Sequence, residues 1–385
     1  MNAAIEPGRL EAQSQARAAE GVVRVAMVTN IPAPYRLPIY ELLAGTPGIE
    51  LRVFFCSGRE PDRHWDLDQL RVPHVFLRER FLNLGPGRYI HVNPDVWPRL
   101  REFAADVVIT TGFNPTHLIA FVHARLRGAR HVAMTDGTAD SEASLGVLHR
   151  WARRWVYKRS AAFVGASEGS FDLYRQYGLR DSRLFKSHLC ANNPAFAAAS
   201  SAGAERDVDL MFCGRFVQAK RPLFALDVAA QVARRIGRRV TLLLVGSGEQ
   251  EEQMRLAAER LSPSVDARFA GFARQAQLPA FYARSKLFLF PTAGDTWGVV
   301  ANEACAAGVP VIVSPQAGVA YDLVRDGDNG RVLPLDVDRW AEAAAALLLD
   351  EPERQRMAAR CRELVDAYSY ANAASGLAQA IRAVA

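Results

Sequence analysis

The chain has 385 residues, half of them hydrophobic and 23% charged, with 27 Gly and 20 Pro. Buried cores are possible, wholesale disorder is excluded, and at roughly 100–200 residues per domain the length points to two domains. The net charge of +6 lies in the first 200 residues, which hold 25 Lys and Arg against 19 Asp and Glu, whereas residues 201–385 hold 22 of each. The first half is therefore the one expected to meet something anionic, a membrane surface or a phosphorylated lipid. The second half has no such bias.

Cys56, Cys190, Cys213, Cys305 and Cys361 are far apart, which excludes a C-x-x-C zinc ribbon or a disulfide scaffold and fits a reducing compartment. No apolar run approaches the ~18 residues of a membrane span. Residues 1–20, with Glu6, Glu11 and Glu20, read as a disordered polar tail and not as a signal peptide. The expectation is a cytoplasmic protein. Zinc-finger spacing, RNP-like aromatics and long basic tracts are all missing, so nucleic acid is not an expected partner.

In chain order, β-branched runs at 23–29, 51–57, 107–110, 131–135 and 161–165 alternate with amphipathic stretches. A second series follows at 210–214, 240–245, 267–270, 287–290 and 309–314, with helical patterns at 223–235 and 250–261. Near-continuous apolar strands alternating with helices predict parallel sheets covered on both faces, and so an α/β protein of two Rossmann-like, doubly wound domains. We expect an N-terminal domain over 21–197, a linker over 198–207, a C-terminal domain over 208–365, and a helix in 366–385 able to pack back on the N-terminal domain.

Ligands of doubly wound sheets lie beyond the carboxyl ends of the strands. After 210–214 comes Gly214-Arg215 and then Lys220; the two cations suit phosphate, although a solvated basic loop reads equally well. After 240–245, Gly246 and Gly248 open a G-x-G turn, but Glu251 stands where a third glycine belongs, so a nicotinamide site is not supported. Phe272 and Ala273 follow the next strand and offer backbone groups to a base edge. After 287–290, Asp295 precedes a helix predicted to start near Gly298, whose first N–H groups, on Gly298, Val299 and Val300, form an anion site, and Glu303 lies on that helix. Two carboxylates there suit the hydroxyls of a ribose or a sugar. The bland alternative makes Asp295 a helix cap and pairs Glu303 with a Lys or Arg.

The set G-R-x4-K, G-x-G-E, and Asp295 and Glu303 with seven residues between them, Glu303 inside N-E-A and followed by A-x-G-V-P-V-I, resembles glycosyltransferase family 4 over about 209–335. The resemblance implies a retaining enzyme of the GT-B fold, its two domains facing each other across a cleft. It further implies that Arg215 and Lys220 hold the donor diphosphate, Glu303 the ribose and Asp295 the transferred sugar, with Gly298, Val299 and Val300 at the phosphates. Family members usually carry Glu at the Asp295 position, which leaves that role less defined.

The first half departs further. A double glycine often follows strand one in the family; here the loop holds Asn30, Tyr35 and Arg36, candidates to line the cleft on the acceptor side. Where the family often has a histidine after a middle strand, this chain has Asp136, a candidate to contact sugar or acceptor, or a turn-forming Asp before Gly137. Ser167 reads as a helix cap.

The expected reaction moves a sugar from a nucleotide diphosphate, uridine favoured and guanosine possible, to a lipid-linked or polysaccharide hydroxyl, as in lipopolysaccharide assembly. No cofactor and no metal are expected. The Asp-x-Asp pairs at Asp66/Asp68, Asp207/Asp209, Asp326/Asp328 and Asp336/Asp338 do not follow strands of the crevice. Residues 150–159 set two Trp at i, i+4 beside five cations, the profile of an interfacial helix or of a packed helix with a solvated face. Two other classes stay open: an epimerase-type enzyme acting on the donor alone, and a non-catalytic membrane-associated component of a glycan-assembly complex.

Overall fold

A computed structural model describes residues 21–60, 70–83, 89–143, 145–203 and 205–385. The tail expected over 1–20 and the pair Asp66/Asp68 lie outside the described residues. The chain divides into two units, Met1–His188 with Tyr370–Ala385, and Leu189–Ser369.

In the first unit the strands are β1 (Val23–Thr29), β2 (Ile49–Phe55), β3 (His74–Phe76), β4 (Phe81–Asn83), β5 (Tyr89–His91), β6 (Val107–Thr110), β7 (Arg130–Thr135), β8 (Ala162–Gly165) and β9 (Leu184–Lys186). Seven of them form a parallel sheet in the order β3-β2-β1-β6-β7-β8-β9, and β4 and β5 pair antiparallel apart from it. All four residues of β6 and all four of β8 are buried, as expected for strands covered on both faces. On one face Ala26, Val28, Phe54 and Val108 pack with Val96, Leu100 and Phe103 of the Val96–Phe103 helix and with Ala120 and Ala124 of the Pro115–Arg127 helix.

The second unit adds β10 (Val208–Cys213), β11 (Val240–Val245), β12 (Val265–Gly271), β13 (Ser285–Phe290), β14 (Val311–Val313) and β15 (Gly330–Val332), parallel in the order β12-β11-β10-β13-β14-β15. The Pro222–Ile236 helix starts on Pro222 and stops at Gly237, with φ +68. Its Ala225, Leu226, Val228, Ala229, Val232 and Ala233 recur every three or four residues and bury against Leu210, Leu242 and Trp340. Each fully buried Leu or Val side chain contributes roughly 1.5–3 kcal/mol.

Two expected boundaries move. Residues 198–201, assigned to a linker, are the last turn of the Asn193–Ser201 helix, and the division falls between His188 and Leu189. That helix is Ala-rich, a composition of high intrinsic helicity without an apolar stripe, and is capped by Asn192 with Pro194 in its first turn. It joins the second unit because Phe196 packs edge-on to Tyr282 at 5.5 Å and Ser200 Oγ donates to Ala307 O at 2.9 Å. The C-terminal boundary lies at Ser369/Tyr370 and not at 365/366. The Tyr370–Arg382 helix belongs to the first unit because Gly376 has no Cβ; a methyl there would stand 1.7 Å from the Lys186 carbonyl oxygen at the end of β9.

Candidate active site

In the second sheet, chain order reverses between β10 and β13: the chain moves from β10 to β11 and β12 on one side, then returns to β13 on the other. The loops leaving the two carboxyl ends therefore part and open a crevice, the place where such sheets bind ligands. Lys220 arrives from the loop after β10 and Asp295 from the loop after β13. Lys220 Nζ stands 2.5 Å from Asp295 Oδ2 and 5.9 Å from the centre of the Phe290 ring. The loops are held in register by backbone bonds, Ala293 N to Ala219 O at 2.8 Å and Thr292 Oγ1 to Ala219 O at 3.1 Å.

Asp295 does not cap the helix that follows. Its Oδ1 accepts the N–H of Trp297 at 3.2 Å, and Gly298 occupies the cap position of the Val299–Ala306 helix without any side-chain cap bond. Gly298 has φ +103, and a Cβ there would sit 2.2 Å from Phe290 Cε1, so only glycine brings the helix start this close to the end of β13. Trp297 is fully buried; its indole N–H donates to Asn302 Oδ1 at 2.8 Å and fixes the loop on the helix.

Glu303 faces inward from the same helix, 3% exposed. Its partner is neither Lys nor Arg: the Tyr282 hydroxyl donates to its Oε2 at 2.9 Å. Burial pushes the Glu303 carboxyl up to about 7, opposed by the Tyr282 bond. The Cys213 thiol, at the end of β10, is raised by burial and by the neighbouring Glu303 charge. Tyr282 had no sequence signal; it comes from the Leu278–Ala283 helix, brought in by the fold alone.

Arg215 is exposed on the same loop as Lys220, toward the β11 side. Its neighbour Phe216 donates its N–H to Ser247 O at 2.8 Å, and Gly246 N donates to Gly271 O at 2.8 Å, so the loops after β10, β11 and β12 form one stitched rim. Gly246 and Gly248 are glycine because of that stitching, since a Cβ would meet Gly214 O at 1.9 Å or Phe216 O at 2.6 Å. Phe272 and Ala273 follow β12 on the same rim, with Phe272 exposed. The structure thus gathers Lys220, Asp295 and the helix start at Gly298 in one place. Arg215 and Phe272 stand further along the rim, and Glu303 lies beneath it.

The first sheet reverses order between β1 and β6, and a cavity of about 200 Å³ lies there, lined among others by Asn30, Tyr35, Arg36, Glu60, Thr111 and Asp136. All four residues singled out in this half share it. Arg36 is buried and ion-paired to Asp136 Oδ1, and its Nη1 donates to Ser187 O at 3.3 Å. Asp136 is therefore an oriented carboxylate and not a turn former: the N–H of Gly137 goes to Thr135 Oγ1 at 3.0 Å instead. Asn30 Oδ1 accepts from Asn114 at 3.2 Å. Glu60, which carried no motif, contacts His91 Nε2 at 3.0 Å.

The other Asp-x-Asp residues have structural partners. Asp207 pairs with Arg284, Asp209 with Arg238 and Lys286, Asp326 with Arg331 and Asp328 with Arg360. Asp336 caps the Val337–Leu349 helix, Asp338 lies near Arg235, and Ser167 caps Glu168–Gln176.

Residues 12–185 match the family described as glycosyl transferase 4-like domain, and residues 197–364 match glycosyl transferases group 1. The chain is 27% identical over 380 residues to D-inositol 3-phosphate glycosyltransferase of Nocardia farcinica, covering 94% of this chain and 81% of that protein. It is 31% identical over 178 residues to phosphatidyl-myo-inositol mannosyltransferase of Mycobacterium leprae, where the match spans 46% of each. Among solved structures, HepE of Anabaena in complex with UDP superposes with a TM-score of 0.73 at 16% identity, over 93% of this chain and 98% of that one. WaaG, a glycosyltransferase involved in lipopolysaccharide biosynthesis, superposes with a TM-score of 0.62 at 18% identity, over 93% and 99%.

Proposed function

The chain belongs to glycosyltransferase family 4 and has the GT-B fold, and on that premise we propose that it is a retaining, metal-independent hexosyltransferase. Its donor is a nucleotide diphosphate sugar, with UDP favoured over GDP, and its acceptor is a hydroxyl of a lipid-linked or polysaccharide precursor. The observation that carries the reading is the meeting of Lys220 and Asp295 at the switch point of the second sheet, beside an uncapped helix start.

Cleaving the anomeric C–O bond leaves negative charge on the diphosphate. Lys220, Arg215 and the N–H groups at Gly298, Val299 and Val300 are donors held in place before that charge develops, so little reorganisation is needed. Without ligand, Asp295 neutralises Lys220. A bound donor takes the ammonium through its phosphate and leaves Asp295 to accept sugar hydroxyls. Glu303 serves the ribose when ionised. The acceptor oxygen bonds C1 on the face the phosphate leaves, and its proton passes to the departing phosphate oxygen; no protein nucleophile is assigned. In the first unit, the Arg36-oriented Asp136 contacts sugar or acceptor hydroxyls.

A thermal-shift panel of nucleotide sugars with EDTA present tests the reading. One donor stabilises the chain selectively; at 100 times its Kd the gain is about 2.7 kcal/mol. Stabilisation by none, or only after a divalent cation is added, overturns it. Turnover of the donor to an isomer without acceptor makes the protein an epimerase-type enzyme instead.

A further inference from the structure

The cavity of about 200 Å³ at the carboxyl end of the first sheet has walls whose charge is opposite to that of the half of the chain around it. Residues 1–200 carry 25 Lys and Arg against 19 Asp and Glu, a balance that by itself argues for an anionic occupant. Among the described residues lining the cavity, however, Arg36 is the one cation, set against the carboxylates of Glu60 and Asp136. Arg36 is also committed before any ligand arrives. It is ion-paired to Asp136 Oδ1, its Nη1 reaches the carbonyl oxygens of Ser187 at 3.3 Å and His188 at 3.5 Å, and its side chain is 6% exposed. Turning that guanidinium toward a phosphate would strip buried acceptors of their donor.

The two carboxylates are held from behind. Asp136 is oriented by Arg36, and Glu60 Oε1 lies 3.0 Å from Nε2 of the fully buried His91. A carboxylate has about four acceptor positions, which one such partner does not exhaust. Around them Asn30, Tyr35, Thr29 and Thr111 supply amide and hydroxyl groups, Thr111 Oγ1 donating to Thr29 Oγ1 at 3.0 Å. Groups that donate and accept, together with two fixed acceptors, match the hydroxyls of a sugar ring, each of which donates one hydrogen bond and accepts others.

We propose that this cavity receives an uncharged sugar unit and rejects phosphorylated ones, with Glu60 and Asp136 setting the selection. A phosphate monoester carries a charge of about −1.5 to −2 and offers mainly acceptors, so it would face two fixed anions across a wall whose one described cation is already paired. A neutral hydroxyl meets no such opposition. The discrimination comes from repulsion of the wrong ligand as much as from attraction of the right one. The inference rests on the sugar-transfer reading for the role of that unit, and it sharpens that reading: the sugar entering the first unit is neutral, whatever lipid or phosphate lies further along the molecule that bears it.

Saturation-transfer NMR of the full chain tests it, with the methyl glycosides of glucose, galactose, mannose and N-acetylglucosamine titrated beside their 6-phosphate esters. At least one neutral glycoside is expected to bind with millimolar affinity or better. Its affinity should fall about tenfold or more in Asp136→Asn and in Glu60→Gln, the loss of a hydrogen bond to a charged group. The phosphate ester of the same sugar should lose nothing in either variant. Should Asp136→Asn fail to fold, because Arg36 is left buried without its carboxylate, Glu60→Gln carries the test alone, with circular dichroism reporting its fold. Binding of no neutral glycoside overturns the proposal, as does neutral binding within twofold of wild type in the folded variants. So does a phosphate ester whose affinity falls in them, since the phosphate then sits inside the cavity. None of these outcomes involves a donor: failure of every nucleotide sugar to stabilise the chain refutes sugar transfer and leaves the glycoside preference standing, whereas loss of that preference leaves the donor's thermal shift unchanged.

Discussion

Glu303→Gln separates the chemistry of a buried carboxyl from its shape. Glutamine keeps the volume and an oxygen to accept the Tyr282 hydroxyl, and removes only the titration. In the folded protein burial raises the carboxyl from the ordinary 4.5 to about 7. The folded state therefore holds its proton where the unfolded chain has lost it, so stability falls as pH rises. The favourable contribution is complete below about pH 4.5, fades as pH climbs toward 7, and is gone above it. At ~1.36 kcal/mol per pH unit the full span is worth about 3 kcal/mol. Urea denaturation of wild type and Glu303→Gln, followed through the transition of Leu189–Ser369 at pH 5, 6, 7 and 8, reads the difference directly. The variant should gain on wild type between pH 5 and 7 and level off by pH 8, for a total of about 2–3 kcal/mol. A difference flat in pH would show that Glu303 is ionised throughout, and the picture of an inward carboxyl beneath the rim would be wrong. Donor affinity should run the opposite way in wild type, rising through pH 7 as the ionised form becomes able to accept ribose hydroxyls, and should lose that rise in the variant.

Arg215→Ala and Lys220→Ala should each lower turnover about 100-fold or more, since one pre-organised donor to a developing anion typically contributes about 2.7–4 kcal/mol; steady-state kinetics within threefold of wild type for both would remove them from the mechanism. Gly298→Ala places a methyl 2.2 Å from the Phe290 ring at φ +103, and overpacking and backbone strain each cost roughly 1–3 kcal/mol, measurable as a fall in the denaturation midpoint of the second unit. Gly376→Ala meets the Lys186 carbonyl and should speed amide exchange in Tyr370–Arg382, whereas unchanged exchange would mean that the helix is held elsewhere. Asp136→Asn breaks the ion pair with Arg36 and should lower kcat for transfer to acceptor, with donor binding in the thermal-shift assay unchanged.

The strand–helix alternation needed no coordinates, because parallel strands covered on both faces must be apolar nearly throughout. Runs at 23–29, 107–110 and 240–245 coincide with β1, β6 and β11. Short edge strands such as β3, β9 and β15, three residues each, left no such trace. An edge strand has one neighbour and can be too short to show a period. Motif order likewise placed Lys220, Asp295 and Gly298 after strands, since residues a few positions beyond a strand must emerge at its carboxyl end.

Which of these residues touch was a matter for the tertiary structure. Lys220 and Asp295 are 75 positions apart, and they meet because sheet order reverses between β10 and β13. Arg36 and Asp136 are 100 apart and share a cavity because the segments leaving β1 and β7, the two neighbours of β6 in the sheet, converge over its carboxyl end. Tyr282 became the partner of Glu303 through helix packing, which no spacing encodes. The sequence by itself determined the fold class, the family and which loops carry charge, because those follow from local periodicity and motif order. The pairing of each charge, the depth of Glu303 and the unit that holds the last helix depended on long-range packing, where a single missing Cβ at Gly376 decides what can approach.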